Sequence, residues 1–319
     1  MRTAQGEQQD RQPQRQAVEI DGHRLVLTHL DRLLFPATGH TKAHLLHYYA
    51  QIAAVMVVHT AGRPASFVRA PEGPEGQSWV AKNPPPGTPE WITVAEVPGR
   101  EGPARHVVVD SPAAVVAMAN LGAFEMHVPQ WTTEGGPELH DRLVLDLDPG
   151  DGVDIVACCR VAHRLRQLLA DDGLVAYPVV SGGKGLHLYV PLCPAPSADV
   201  TGYAKALATR LRAERPDQVV VTMVRAARTG RVLIDWSQNS SAKTTAAPYT
   251  LRIRERRPSV AAPLTWDEVD SCTDPREPQF SPEQVVERVS DHGDLLAGLA
   301  DPARACRLRF TSQGGRDER

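Results

Sequence analysis

The segment RLVLDLD at residues 142–148 places two aspartates inside an alternating pattern typical of a β-strand. Successive side chains of a strand point to opposite faces, so Asp146 and Asp148 share one face while Leu145 and Leu147 pack on the other. Neighbouring carboxylates repel each other unless a cation lies between them, and Mg²⁺ and Mn²⁺ prefer oxygen ligands. An Asp-Pro-Gly turn directly follows, so this pattern alone is consistent with either a metal site or a strand ending in a turn.

Helix and strand patterns alternate on both sides of this segment. Helices are predicted at 41–58, at 112–122 behind the capping residue Ser111, at 155–171 behind Asp154, near 199–214, and after Thr265 and Ser281. Strands are predicted at 106–110, 177–180, 185–192, 219–224 and 231–236. No long linker interrupts them, so we expect one α/β unit with mixed α+β sheets and two sub-lobes around a cleft. That unit covers residues 17–310, between a disordered tail (1–16) and a flexible C-terminal tail (311–319).

The composition excludes several classes of protein. Of 319 residues, 42% are hydrophobic and 23% charged, which is typical of a globular chain and not of a disordered one. There is neither an apolar run long enough to span a membrane nor a signal peptide. The five cysteines form no C-x-x-C pair, so we expect reduced thiols in a cytoplasmic protein. The expectation that it is nucleoid-associated depends on a DNA partner.

The net charge of −3 does not exclude a nucleic-acid partner. Residues 205–257 contain 12 Lys and Arg residues against four acidic ones, so the rest of the chain carries the acidic excess. Local charge decides whether a surface attracts phosphates. We therefore expect transient contact with nucleic acid through this basic segment, weakened by salt.

A glycine-rich segment, SGGKGLHLY, occupies residues 181–189. Its three glycines allow close approach of a ligand to the backbone, and exposed amides in such loops bind anions. Lys184 and His187 add donors suited to phosphate oxygens. The segment is not a Walker A loop, because that motif is absent and a strand follows. A glycine-rich hairpin with a core histidine remains the alternative.

The third segment is IDWSQNSSAKTT at residues 234–245. An apolar strand ends in Asp235, a candidate third carboxylate, and the polar stretch that follows contains Lys243. Alone, it is also typical of a strand that ends in a polar loop. Taken together, three carboxylates from two strands and a Gly-Lys-His loop indicate a two-metal site for phosphoryl or nucleotidyl transfer.

At this point the chain resembles the primase-type polymerase module of bacterial non-homologous end-joining DNA ligases, within the archaeo-eukaryotic primase superfamily. The resemblance covers about residues 18–300. The strongest matching segments are LDLDPGD (145–151), SGGKGLHLYVPL (181–192) and IDWSQNSSAKTTAAPYTLR (234–252). Weaker matches are LFPATGHTK (34–42), KNPPPGTPEW (82–91) and NLGAFEMHVPQW (120–131).

The resemblance implies a primase-like catalytic core with two divalent ions, Mn²⁺ favoured over Mg²⁺, bound by Asp146, Asp148 and Asp235. It implies contacts to the phosphates of the incoming nucleotide from Ser181, Lys184, His187, Lys243 and Arg252. It also places His127 near the sugar and Gln238 and Asn239 in the same pocket. Arg32 and Lys42 would bind a 5′-phosphate on the downstream DNA strand.

The chain departs from the family pattern where DNA is contacted. Arg32 replaces a lysine, which keeps the charge and changes the geometry. Trp79 and Val80 stand where relatives often have two phenylalanines that stack on the template, and only the tryptophan can stack on a base. Val68, before Arg69, replaces a basic residue of some members. We therefore expect Arg69 and Trp79 to contribute to template contact, with altered handling of DNA ends.

The expected function is metal-dependent, template-directed addition of NTPs or dNTPs to 3′ ends at gaps or double-strand breaks with a downstream 5′-phosphate. The resemblance implies a Ku-like protein as a partner in end joining and, because no ligase motif is visible, a separate ligase; no membrane is involved. One alternative is a stand-alone primase-polymerase for replication restart or excision repair. The other is a non-catalytic module that binds DNA ends.

Overall fold

A computed structural model describes residues 15–99, 102–253 and 256–310 of the chain. The helices are α1 (Lys42–Thr60), α2 (Pro112–Asn120), α3 (Ile155–Asp171), α4 (Ser197–Glu214), α5 (Trp266–Ser271), α6 (Pro282–His292) and α7 (Ala297–Ala300). The strands are β1 (Arg15–Ile20), β2 (His23–Thr28), β3 (Leu33–Phe35), β4 (His40–Thr41), β5 (Pro64–Arg69), β6 (Trp79–Ala81), β7 (Val94–Val97), β8 (Ala104–Val108), β9 (Ala123–Val128), β10 (Leu139–Pro149), β11 (Tyr177–Val180), β12 (Leu186–Pro196), β13 (Val219–Val220), β14 (Val232–Asp235), β15 (Thr245–Ala246), β16 (Leu251–Arg252) and β17 (Ser259–Val260). In these ranges no helix is both long and apolar enough to cross a membrane.

A five-stranded sheet with the order β11-β12-β10-β14-β13 forms one half of the fold. Its middle strand, β10, contains the predicted strand 142–148 and pairs antiparallel with β12 on one side and β14 on the other. Helices α3 and α4 pack against β10. Leu145 and Leu147 are completely buried in the core, as the alternation of this strand predicts.

The second large sheet has the order β15-β9-β5-β8-β7, with β6 paired to β5. Helix α2 packs against both β9 and α1. The buried Tyr189 hydroxyl of β12 donates to the carbonyl of Ala246 at 3.1 Å, which links the first sheet to β15 of the second. The mixed α/β class is confirmed, and the two sheets correspond to the two expected sub-lobes.

The predicted helix starts carry their capping residues. Ser111 and Asp154 accept hydrogen bonds from backbone amides in the first turns of α2 and α3. Thr265 and Ser281 form complete capping boxes at α5 and α6. Local side-chain chemistry therefore fixes where these four helices begin.

Several predicted boundaries are wrong. The strands predicted at 106–110 and 185–192 are β8 (Ala104–Val108) and β12 (Leu186–Pro196). The strand predicted at 219–224 ends at Val220, because β13 has a ladder partner, β14, over only two residues. Beyond it, Met223 and Val224 are 46% and 61% exposed. At the other end, Arg15 and Gln16, assigned to the tail, belong to β1.

The strand β1 extends to Arg15 because it forms a hairpin with β2. Asp21 and Gly22 connect the two strands with φ values of 49° and 74°, the conformation that an Asp-Gly turn adopts in a two-residue hairpin. This Asp-Gly pair was the available sequence signal. The predicted tails at 1–14 and 311–319 lie outside the described residues.

A buried polar network fixes the chain just before β16. Tyr249 has a φ of 69°, a strained value for a residue with a side chain. Its carbonyl accepts a hydrogen bond from the Tyr48 hydroxyl at 2.7 Å, and its own hydroxyl donates to Asp294 Oδ1 at 2.6 Å. His59 Nε2 lies 2.9 Å from the other oxygen of Asp294. The network joins α1 and the turn after α6 to the segment that leads to Arg252.

Replacing Asp294 with alanine should lower the free energy of unfolding by about 2–4 kcal/mol, because His59 and the Tyr249 hydroxyl would stay buried without their partner. Urea unfolding measures this change. Asp291→Ala, an exposed carboxylate on α6, is the control and should change stability by less than about 0.5 kcal/mol. Equal losses in both variants would contradict the role of the network.

The difference in the free energy of unfolding between wild type and Asp294→Ala should depend on pH. Burial alone would raise the pKa of Asp294, but hydrogen bonds from His59 and Tyr249 outweigh it and hold the pKa below the ordinary 3.8. A lowered folded-state pKa stabilises the protein above the unfolded pKa and ceases to do so as pH falls through the folded value. The wild type should therefore exceed Asp294→Ala in free energy of unfolding by less and less as the pH falls below about 4.

Candidate active site

Asp146 lies in the middle of a polar row across three adjacent strands. Its partner on β12 is His187, and its partner on β14 is Asp235. Asp148 follows two residues later on β10 and shares the face of Asp146. Asp146 and Asp235 are buried, at 9% and 6% exposed. The sheet register therefore brings together the three aspartates and the histidine that the sequence singled out.

The electrostatics of this row favour a cation. Burial, and then the charges of Asp146 and Asp235, raise the pKa of Asp148 to about 6. Oδ1 of Asp146 is buried and accepts no hydrogen bond, although His187 Nε2 lies 3.3 Å away in a poor orientation. Gln238 Nε2 donates to Oδ2 of Asp146 at 3.2 Å and to Oδ2 of Asp235 at 3.1 Å. The amide group thus supplies the only partial positive charge that bridges these two carboxylates among the described side chains.

The donor set fits a divalent metal in its chemistry. As they stand, no three His, Cys, Asp and Glu side chains within 15–99, 102–253 and 256–310 are gathered closely enough to hold an ion, and the Gln238 amide lies between two of the carboxylates. Yet all three candidate donors are carboxylates, one buried oxygen lacks a partner, and a cation would lower the raised pKa of Asp148. Asp146, Asp148 and Asp235 are therefore the residues that would hold the metal.

The glycine-rich loop between β11 and β12 packs directly against this row. The Ser181 hydroxyl accepts a hydrogen bond from the amide of Gly185 at 3.2 Å, which closes the loop. A methyl group on Gly185 would lie 3.2 Å from Asp148 Oδ1, and one on Gly182 would lie 2.6 Å from Cγ of Arg252. Gly182 also has a φ of 70°. Glycine is required at both positions by close approach.

The two predicted phosphate-binding lysines differ in their surroundings. Lys243 Nζ lies 3.6 Å from Asp235 Oδ2 and donates to the Ser237 hydroxyl. Lys184 is exposed, and none of the described residues forms an ion pair with it. Lys243 therefore already lies beside the aspartates, whereas Lys184 is available at the surface of the loop.

Glu125 on β9 is a buried residue that the sequence analysis did not single out. Its Oε2 accepts a hydrogen bond from Arg252 Nε at 3.1 Å and lies 3.1 Å from His127 Nε2, and its Oε1 accepts one from the amide of Ile253 at 3.0 Å. Burial alone would raise the pKa of Glu125, but His127, Arg252 and Ile253 together lower it to about 2. An ionised carboxylate thus orients two predicted nucleotide contacts. The alternation of Glu125 and His127 on one strand face was the available signal.

Arg252 joins the two sheets at the site. Besides Glu125 on β9, its guanidinium donates to the carbonyl of Ser181 in the glycine-rich loop. The predicted sugar neighbour, His127, lies on β9 opposite Ala246 of β15. Through Glu125, Arg252 and Ser181, the second sheet is connected to the loop beside the aspartates.

Asn239 does not line a pocket. Its side chain is completely buried, with Oδ1 accepting from the amide of Val144 at 2.8 Å and Nδ2 donating to the carbonyls of Val144 and Trp236. All of these bonds hold β10 and the 3₁₀ helix Trp236–Asn239 in place. The expectation that Asn239 contacts the nucleotide is corrected, because backbone groups already use its donors and acceptor.

Arg32 and Lys42 meet at the β3–β4 hairpin, where the amide of Lys42 donates to the carbonyl of Arg32 at 2.8 Å. Burial, and then the charge of Arg32, lower the pKa of Lys42 to about 8. Burial and the charges of both residues also lower the pKa of His29. Lys42 is only 5% exposed, and its ammonium donates to the carbonyl and side-chain oxygens of Asn120 at 2.6 and 2.9 Å. The three basic groups are therefore close together at the base of the hairpin, where an anion that reached them would relieve their repulsion. His29 was not anticipated, because no motif marks it.

Arg69 and Trp79 form a separate pair where β5 joins β6. The guanidinium carbon of Arg69 lies 5.0 Å from the centre of the Trp79 ring, and Nη2 donates to the carbonyl of Leu121 at 2.8 Å. Trp79 is 39% exposed and Val80 is 64% exposed. The ring is therefore supported from one side and open to a stacking partner.

Arg228 is another residue that the sequence did not indicate. It ends the 3₁₀ helix Arg225–Arg228, and its charge acts to lower the pKa of Asp148. Its Nε is buried without a hydrogen-bond partner. The Arg228 guanidinium, on the loop between β13 and β14, therefore lies near the aspartates.

Comparison with known proteins supports this description of the site. Residues 41–296 match the family model described as the LigD primase-polymerase domain. The chain belongs to the LigD primase-polymerase family. The enzyme class predicted from the motifs, a nucleotidyltransferase, is thereby confirmed. The family match contains every predicted site residue except Arg32.

Proteins similar to the chain include LigD homologues from several bacteria. The multifunctional non-homologous end-joining DNA repair protein LigD of Mycobacterium tuberculosis is 45% identical over 294 residues, covering 89% of this chain and 38% of that protein. The LigD of Mycolicibacterium smegmatis is 41% identical over 86% of this chain and 36% of its own length. The chain thus spans less than two fifths of the length of these relatives.

A solved structure also resembles the LigD-family chain. The polymerase domain of M. tuberculosis ligase D in complex with DNA is 44% identical, with a TM-score of 0.82, covering 87% of this chain and 98% of the other. The resemblance in sequence and the archaeo-eukaryotic primase-like core are both confirmed. The individual roles of the site residues remain predictions.

Replacing Glu125 with glutamine should weaken nucleoside triphosphate binding about 10-fold, because Arg252 and His127 lose the charge that orients them. Titration calorimetry measures the affinity, and thermal unfolding shows whether the variant is folded. Glu125→Asp keeps the charge and should recover part of the affinity. Glu96→Gln, an exposed carboxylate on β7 of the same sheet, is the matched control. Wild-type affinity in a folded Glu125→Gln protein would remove this positioning role.

Proposed function

We propose that the protein adds NTPs or dNTPs to 3′ ends at gapped or broken DNA, directed by the opposite strand, in non-homologous end joining. The observation that carries the proposal is the alignment of His187, Asp146 and Asp235 across three strands, with Asp148 and the glycine-rich loop beside them. The LigD names of the relatives support end joining as the process. The DNA-bound M. tuberculosis domain supports DNA as the partner.

Two divalent ions, Mn²⁺ or Mg²⁺, are the proposed cofactors; when bound, such ions activate the 3′-hydroxyl and stabilise charge on the transferred phosphate. Asp146, Asp148 and Asp235 hold them. The three carboxylates come from β10 and β14, so the sheet fixes their spacing before any ligand arrives. Pre-organised ligands of this kind lower the cost of assembling the site.

The cationic side chains around the row are proposed to bind the triphosphate. Lys243 is next to Asp235, and Arg252 contacts the loop at Ser181. His187 lies beside Asp146 on the first sheet, and His127 is held by Glu125 on the second. Gln238 releases the carboxylates to the metal and contacts the nucleotide instead. These side chains orient the phosphates without moving either sheet.

The cluster of His29, Arg32 and Lys42 is proposed to bind the 5′-phosphate of the downstream strand. A phosphate that accepts hydrogen bonds from Arg and Lys gains charge-assisted bonds and relieves the repulsion described above. The exposed Trp79 is proposed to stack on a template base, with Arg69 behind the ring. A Ku-like protein and a DNA ligase activity are the partners that end joining would need.

The variant Asp148→Asn should abolish primer extension on a gapped duplex with Mn²⁺, a loss of at least about 1,000-fold. It should leave affinity for the same DNA within about three-fold, because DNA contacts lie elsewhere in the proposal. Gel-based extension and fluorescence anisotropy measure the two quantities. Extension at the wild-type rate would overturn the two-metal assignment.

Asp151→Asn is the matched control for that variant. Asp151 is exposed in the turn directly after β10, so the substitution removes one carboxylate from the same segment without touching the row. Extension should stay near the wild-type rate. If wild-type protein binds DNA ends and never extends them, the non-catalytic alternative is correct.

Replacing Lys42 with glutamine should reduce the preference for a 5′-phosphate over a 5′-hydroxyl about 10-fold or more, because one charge-assisted hydrogen bond is lost. Anisotropy with the two forms of the same gapped duplex measures this ratio. Arg24→Gln, an exposed arginine on β2, removes the same charge nearby and should lower both affinities alike. An unchanged ratio in the Lys42 variant would exclude this residue from phosphate recognition.

A further inference from the structure

A cavity of about 720 Å³ opens beside the glycine-rich loop. Its walls come from the β3–β4 hairpin, the glycine-rich loop, the segment before β17 and the start of α6. The lining residues are Thr38, His40, Gly182, Gly183, Lys184, Arg256, Arg257, Pro258, Ser259, Pro278, Gln279, Phe280, Ser281 and Gln284. None of the predicted metal ligands is among them.

The cavity is strongly cationic. Lys184, Arg256 and Arg257 line it and are exposed, and none of the three pairs with a carboxylate in the described ranges. The lining contains no Asp or Glu. Glu283 at the start of α6 is engaged by His40 at 3.0 Å. Three like charges gathered at one opening repel each other, so a polyanion would stabilise the arrangement.

The position of the cavity links two proposed sites. One wall is the hairpin whose two ends bear Arg32 and Lys42, joined by the hydrogen bond between their backbones. The other wall is the loop whose Gly185 packs against Asp148. The cavity therefore lies between the proposed 5′-phosphate cluster and the proposed metal aspartates. At a gap, the strand that connects these two points is the unpaired template.

We infer that this cavity binds the backbone of the single-stranded template segment that crosses the gap. The inference rests on the proposed function. Arg256 and Arg257 contact successive phosphates, while Lys184 at the edge of the cavity stays with the incoming nucleotide. The partly exposed Phe280 ring, which has Arg288 4.5 Å from its centre, offers its remaining surface to a base. Gln279 and Gln284 add amide groups that can bond to base edges.

Other polyanions fit the cavity less well. A duplex, whose major groove alone is about 12 Å wide, can reach only the opening of a cavity of this volume, whereas a single strand can enter it. The proposed triphosphate is held where its divalent ions bind, and no carboxylate lines the cavity, so Arg256 and Arg257 are left for another anion. A single strand needs only cations, donors and a stacking surface, all of which are present.

The test uses the double variant Arg256→Gln/Arg257→Gln in the full chain. Fluorescence anisotropy compares a duplex with a gap of six nucleotides and a nicked duplex of the same length, both 5′-phosphorylated, without nucleotide or added metal. We expect affinity for the gapped duplex to fall about 10-fold or more while affinity for the nicked duplex changes less than about two-fold. The slope of log affinity against log salt should fall by about 1.4 for the gapped duplex, since two phosphate contacts to a single strand are lost.

Arg212→Gln/Arg215→Gln is the matched control, because both arginines are exposed and lie outside the cavity. An equal loss on gapped and nicked DNA, or the same loss in the control, would overturn the inference in favour of general charge attraction. Unchanged DNA affinity with a raised KM for the nucleotide would show that the cavity serves the nucleotide instead. Failure of the proposed function is a separate result: wild-type protein would then bind the gapped duplex and add nothing to it.

Discussion

Mutual repulsion among Asp146, Asp148 and Asp235 is the constraint that the rest of the site accommodates. The pairing of β10 with β14 forces two of these carboxylates into adjacent positions, and burial denies them the screening of water. The raised pKa of Asp148 and the unpartnered oxygen of Asp146 are the consequences. Such an arrangement costs stability in the free protein and persists because the buried leucines of the same strand hold it in register.

The neighbouring polar groups offset this cost without removing it. The Gln238 amide, the Lys243 ammonium and the Arg228 guanidinium supply positive charge near the carboxylates. Each lies on a short loop or 3₁₀ helix rather than on the sheet, and the proposed function requires Gln238 to release the carboxylates. By contrast, Glu125 is bonded on both oxygens and completely buried, so it serves as a fixed support. The site thus combines a rigid sheet with replaceable counter-charges.

Local patterns predicted the parts of the molecule that local chemistry controls. The alternation in β10 and the capping residues of α2, α3, α5 and α6 depend on nearby residues, and the sequence shows them directly. Glu125 acts through Arg252 and Ile253, which lie far along the chain, so no short motif contains them. His29 lies close to Arg32 in sequence, but no motif marks it. Asn239 belongs to a motif yet bonds to Val144 on another strand, so its role depends on tertiary packing. Strand ends such as Val220 depend on the length of the partner strand, which hydrophobicity does not encode.

The net charge of −3 is the sum over cationic and acidic surfaces that would bind different parts of a substrate. Arg32 and Lys42 form one cationic cluster, and Lys184, Arg256 and Arg257 form another, each with few carboxylates nearby. The second cluster lies between the first and the acidic row, whose charge a divalent ion would neutralise. A chain with evenly spread positive charge would bind any stretch of duplex, since phosphates are everywhere along DNA. Two separate cationic clusters beside an acidic centre instead favour a substrate whose phosphates lie at matching places, and the proposed gap with a downstream 5′-phosphate is such a substrate.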